Sequence, residues 1–253
     1  MACSSDSQEA GNVELKPVST RLTFRQCIHS LRDCSAMKNM PADIYTEPDA
    51  DPDTLRSLGP LAPMAGVWLG EHGLDVHPTA DGPVQSAFVE RYELQPIDPQ
   101  TNGPQLFYGL RYHTRITQPG EVAMFHEQVG FWLWEPATST VMLTLAIPRG
   151  QSALATGHAS PDSRSFTVKA RRGSETNGIV SNSFLDYAFQ TTDFEMTVTL
   201  NENRSWSYHQ TTTLKIHGQP GPFLHTDCNT LARIGTPTPN PLADRGPPHM
   251  PAI

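Results

Sequence analysis

The sequence predicts an all-β fold: an antiparallel up-and-down β-barrel of about ten strands around an internal ligand cavity. Three observations carry this. Apolar and polar residues alternate with a period of two in successive runs between about residues 60 and 234, where helical periodicity is nearly absent. Turn-forming segments separate the runs at hairpin spacing. Prolines number 23 and glycines 18, which favours strands and turns over long helices. Closing that many antiparallel strands into a barrel removes open edges, and a barrel of this size can enclose one small ligand. A β-sandwich is the competing architecture.

Residues 1 to 55 read as an N-terminal extension, polar and partly disordered. Within it Leu22, Cys27, Ile28 and Leu31 could line one face of a short helix, and Asp49-Ala50-Asp51-Pro52-Asp53 is an acidic linker. Leu58 to Met64 forms a short cap that leads into the first strand. Trp68 then sits among Gly66, Gly70 and Gly73, with Pro78 closing the run. Glycines there permit close backbone approach and a sharp bend. The tryptophan brings a large apolar surface with one donor that needs a partner.

The next runs alternate cleanly. Phe88, Glu90, Tyr92 and Leu94 share one face, as do Leu106, Tyr108, Leu110 and Tyr112. His126 to Trp134 and Thr140 to Ile147 flank Glu135-Pro136-Ala137-Thr138-Ser139 as a hairpin. Ser165 to Ala170 is a further strand. Gly173 to Gly178 is a turn, and Asn182, Phe184 and Asp186 are placed to close one end of the barrel. Phe194 to Leu200 and Trp206 to Ile216 form a hairpin about Asn201-Glu202-Asn203-Arg204, and Phe223 to Ile234 is the last strand. The domain expected is residues 56–234. Residues 235–253, with six prolines, read as a disordered tail.

Composition excludes several functions. A formal net charge of -8 argues against a general nucleic-acid binder and against docking on an anionic membrane. No apolar run approaches the roughly 18 residues of a membrane span. Met1 to Asp6 lacks the apolar core of a secretory signal. The cysteines Cys3, Cys27, Cys34 and Cys228 form no CxxC pair, which suits a reducing, cytoplasmic setting. The sequence leaves the oligomeric state open.

Ten histidines invite a metal hypothesis, but no HExxH or tight helical pair supports it. No nucleophile elbow, Walker loop or dinucleotide fingerprint occurs. Asp75 and Glu127 make no obvious acid pair.

The chain resembles the nitrobindin-like haem-binding β-barrel domains, whose fold is like that of fatty-acid-binding proteins and lipocalins. Their opening motif runs G-x-W-x-G-x-G-x-G-x-Y-P. Gly66, Trp68 and Gly70 match it; Gly73 and Pro78 match after one inserted residue, Asp75 replaces a glycine and His77 the tyrosine. His126-x-x-x-Gly130-Phe131-Trp132 is similar to the family's H-x-E-x-G-aromatic strand, with Gln128 at the acid. Ala146 to Gly150 and Leu231-x-Arg233 also fit. The resemblance covers about residues 56 to 234.

It implies a haem b whose iron is held by a histidine on the last strand, binding of oxidised-nitrogen species, and isomerisation of peroxynitrite to nitrate. His225 is the histidine of that strand and so the candidate iron ligand. Anchored on Leu231-x-Arg233, the family's ligand position falls near Thr226, so register decides whether His225 faces inward. Two readings follow. In one, His225 ligates haem while Trp68, His77, His126, Phe131 and Trp132 line the site. In the other, the barrel lacks haem and binds a fatty acid or other small apolar ligand, with His77, His126, Arg149 and His225 as orienting polar groups.

Overall fold

The computed structural model describes residues 41–245. The expected helix near Leu22 to Leu31 lies outside the described residues. The chain divides into two units, residues 1–42 and 43–253, and every described element belongs to the second.

Helix α1 (Thr54–Ser57) and a 3-10 turn (Gly59–Met64) precede the strands. These are β1 (Gly66–Thr79), β2 (Gly82–Pro96), β3 (Gln100–Asn102), β4 (Gln105–Thr117), β5 (Met124–Glu135) and β6 (Thr140–Ile147). There follow β7 (Gln151–His158), β8 (Ser165–Arg171), β9 (Ile179–Ser181), helix α2 (Ser183–Ala188), β10 (Phe189–Leu200), β11 (Trp206–Ile216) and β12 (Pro222–Gly235). The sheet runs β2-β1-β12-β11-β10-β8-β7-β6-β5-β4, and β2 pairs with β4 to close the ring. The barrel is therefore closed, antiparallel and ten-stranded, which rules out the sandwich; β3 and β9 are short additions to β4 and β7. The ladder between β7 and β8 is the thinnest, with Thr156 opposite Lys169 as its pair, and β9 extends the edge of β7 beside it.

Alternation fixes which residues enter the barrel. Tyr108, Leu110 and Tyr112 on β4 are buried, and so are Phe88, Glu90, Tyr92 and Leu94 on β2. β1 carries an irregularity between Gly70 and Gly73 in its pairing with β2. A Cβ on Gly73 would run into the Phe88 ring, and one on Gly70 into the Asn229 amide. Glycine at both places lets the bent strand approach its neighbours without displacing either side chain.

One end of the barrel is a packed floor. Trp68, Trp132, Trp134 and Trp206 are almost wholly buried there, with Leu58, Leu61 and Met64 of the cap against them. Trp68 meets Trp206 edge-to-face at 6.2 Å, and Trp132 meets Phe166 the same way at 5.9 Å. The opposite end, where β1 finishes and β12 begins, is the mouth. Helix α2 borders it, its first turn capped by Asn182, whose backbone N–H donates to Gly150 O in the β6–β7 turn. The floor end of the expected internal cavity is thus solid core, while His77 and His225 at the mouth keep solvent contact.

Two boundaries differ from the sequence reading. The supposed linker is anchored: Asp51 N–H donates to Tyr108 OH at 2.9 Å, and just after it the fully buried Thr54 donates its hydroxyl to Ile97 O at 2.6 Å. The described part of the supposed disordered tail, residues 236–245, returns to the barrel. Asn240 is buried there, donating to Pro52 O and Asp98 Oδ1 and accepting from Thr54 N–H. One polar side chain satisfies three partners distant in sequence, an arrangement that local composition does not encode.

Candidate functional site

The mouth is lined by side chains that strand alternation turns inward: Asp75 and His77 from β1, His126 and Gln128 from β5, Gln210 from β11, and His225 and Asp227 from β12. β12 pairs with β11 without a register shift, so His225, Asp227, Asn229 and the fully buried Leu231 share one face. His225 therefore faces inward.

Asp75 is the centre of this cluster. Its Oδ2 lies 2.7 Å from His77 Nδ1, and its Oδ1 lies 2.7 Å from His225 Nε2. Asp227 Oδ1 is 3.6 Å from the same His225 nitrogen, and Asp227 Oδ2 accepts from Gln210 Nε2 at 2.9 Å. The side chains of His77 and His225 remain 34% and 30% exposed, in contrast to the sealed floor.

Charges here are shaped by burial and by one another. Burial opposes ionisation of Asp75, yet the hydrogen bond and charge of His225 hold its pKa below the ordinary value. Burial pushes Asp227 up to about 7, the nearby His225 only partly offsetting it. Burial likewise works against a charged His225, but Asp75 and Asp227 outweigh it and raise its pKa. His126 goes the other way: burial, aided by the Arg149 charge, lowers its pKa and favours a neutral imidazole.

Beneath the cluster lies a second acid. Glu90 is buried; it accepts from Thr114 Oγ1 at 2.8 Å, Tyr208 OH at 2.8 Å and Asn229 Nδ2 at 3.3 Å. Burial raises its pKa.

The structure gathers His77, His126 and His225 at the mouth but places the other candidate residues elsewhere. Trp68 and Trp132 belong to the packed floor, where Trp68 Nε1 donates to Met64 O at 2.7 Å and Trp132 Nε1 to Tyr92 OH at 3.2 Å. Phe131 points to the outer face, 38% exposed, because alternation gives the inner positions to Gly130 and Trp132. There it helps line a groove of about 640 Å³ with Glu93, Arg111, His113 and Val129. Sequence reasoning missed the roles of Asp75, Glu90 and Gln210. Asp227 and Asn229 were legible as sharing the face of His225, but nothing local ties them to an acid on β1.

A family model described as "THAP4-like, heme-binding beta-barrel domain" matches residues 57–233. Among solved structures, the chain is similar to Rv2717c from M. tuberculosis, with 19% sequence identity and a TM-score of 0.49, covering 73% of this chain and 99% of that one. No curated protein matches it. Among the described residues, no helix is long and apolar enough to cross a membrane.

Proposed function

The chain belongs to the THAP4-like, heme-binding β-barrel domain family, and from that premise we propose that the mouth of its barrel binds haem b. The observation that carries this reading is the set of three inward imidazoles at the solvent-reachable end. A histidine that holds haem iron must be neutral, with a free ring nitrogen. His126 meets that need best, since burial lowers its pKa and, among the described residues, no carboxylate holds it in an ion pair. His77 presents Nε2 while Asp75 orients its Nδ1, the carboxylate–histidine pattern of metal ligands. His225 would ligate through Nε2 only after leaving Asp75. Phe88 and Leu214 supply apolar surface on the same inner face. The donor set therefore fits the group.

When bound, ferric haem would supply the chemistry for binding small oxidised-nitrogen species and converting peroxynitrite to nitrate. The chain's own contribution is orientation of the imidazoles by Asp75, a sealed floor that excludes water from below, and the Arg149 charge near His126. The other reading, a fatty acid or small apolar ligand, has less support, because Asp75, Asp227, Gln210 and the histidines make the mouth polar.

Purified protein titrated with ferric haem should show a shifted Soret band at one equivalent. His126→Ala should weaken binding by more than about tenfold, as loss of metal-site groups does. His77→Ala and His225→Ala then rank the remaining imidazoles. A wild-type spectrum no different from free haem overturns the reading.

A further inference from the structure

Two acids stand directly opposite each other in adjacent strands: Asp75 on β1 is the register partner of Asp227 on β12. Two carboxylates in that position destabilise a sheet when both are charged. The chain nevertheless places them at the mouth with an imidazole between, and the donor atoms of Asp75, His225 and Asp227 all lie within 4.8 Å of one another. We propose that Asp75 Oδ1, Asp227 Oδ1 and His225 Nε2 form a three-ligand site for a divalent cation of the zinc class, with its remaining position open to the mouth.

The geometry is close to what such an ion needs. Zinc bonds to nitrogen and oxygen of about 2.0–2.2 Å in a tetrahedron set adjacent donors roughly 3.3–3.6 Å apart. His225 Nε2 and Asp227 Oδ1 are already 3.6 Å apart. His225 Nε2 and Asp75 Oδ1, at 2.7 Å, need to open by about 0.6 Å to admit the ion. One imidazole with two carboxylates and an open position suits zinc and its neighbours in the first transition row.

The outer oxygens are separately held. His77 Nδ1 engages Asp75 Oδ2 at 2.7 Å, and Gln210 Nε2 donates to Asp227 Oδ2 at 2.9 Å. Each carboxylate thus has one oxygen fixed from outside the ligand set and the other turned toward His225. This is the supporting shell that orients ligands in metal sites. The site shares His225 with the haem reading but not His126, the leading imidazole for haem, so binding of the cation is tested on the protein without haem.

Cobalt(II), a spectroscopic stand-in for zinc, tests the site on the full-length protein without haem. The expected result is one equivalent bound with a tetrahedral visible spectrum, displaced by zinc. Asp75→Asn and Asp227→Asn, which keep side-chain size, should each weaken binding more than tenfold. Gln210→Ala, which removes no ligand, should weaken it by a smaller factor, and His113→Ala on the outer face should change nothing. If an Asn variant fails to fold, a rise in the wild-type melting temperature on adding zinc, absent with magnesium, carries the test instead. No cobalt spectrum and no zinc-dependent melting shift overturn the proposal; so does undiminished binding in folded Asn variants. Soret titration remains a separate readout, so loss of one reading leaves the other standing.

Discussion

Trp68→Ala should lower the unfolding free energy by about 3–5 kcal/mol, the range for removing a large aromatic from a packed core. Trp68 is fully buried, and several contacts converge on it. Its indole N–H holds the cap through Met64 O at 2.7 Å. The Arg233 guanidinium lies 4.4 Å above its ring and donates to Ala65 O and Pro63 O. Trp206 meets its edge at 6.2 Å. Truncation would leave a cavity beneath the cap and orphan a carbonyl, so the cap and the floor should loosen together. With typical domain stability of about 5–15 kcal/mol, that is a large share of the total. Denaturant unfolding followed by far-ultraviolet circular dichroism measures it. A loss below about 1 kcal/mol would mean that the floor is not the packed core described, given the usual cost of aromatic truncation.

Glu90→Ala should cost a comparable amount, about 3 kcal/mol or more, because it strands three buried donors. The hydroxyls of Thr114 and Tyr208 and the amide of Asn229 all donate to this carboxyl. Glu90→Gln should cost less: the amide oxygen keeps the Tyr208 and Asn229 bonds while the amide nitrogen turns to the Thr114 oxygen. The two forms also differ with pH. Burial raises the Glu90 pKa above the ordinary carboxyl value of 4.5, so the folded state binds the proton more tightly than the unfolded state. That contribution is fully present below pH 4.5 and is lost as pH rises through the folded-state value. Stability measured at rising pH should therefore fall more in the wild type than in Glu90→Gln. Parallel curves for the two proteins would contradict a buried, titrating Glu90.

Much of the barrel was legible from alternation. β2, β4 and β11 carry period-two patterns, as does β10 from Phe194 on, beyond an irregularity between Thr191 and Asp193. The hairpins about Glu135 to Ser139 and Asn201 to Arg204 follow from turn chemistry, with Ser139 and Arg204 at positive φ. β7 was missed because Gln151 to His158 is rich in small residues and offers no strong apolar face. The anchoring of residues 236–245 was missed because Asn240 acts through distant partners.

The site was half legible. His225 could be named from its strand, yet its inward aim depends on an unshifted ladder with β11. The link from Asp75 to His225 spans 150 residues of sequence and exists only because the last strand closes on the first. The family's H-x-E-x-G-aromatic motif puts Phe131 among the site residues together with Trp132. The phase set by His126, Gln128, Gly130 and Trp132 is the signal that puts it outside.

The central claim is that the guest enters the mouth rather than the outer groove. Ferric haem is paramagnetic, so histidine side-chain resonances near it broaden or shift. On adding one equivalent, the signals of His77, His126 and His225 should be lost, while those of His113, His158 and His209 on the outside persist. Early loss of His113, which lines the outer groove beside Phe131, with the three mouth histidines unchanged, would contradict the account.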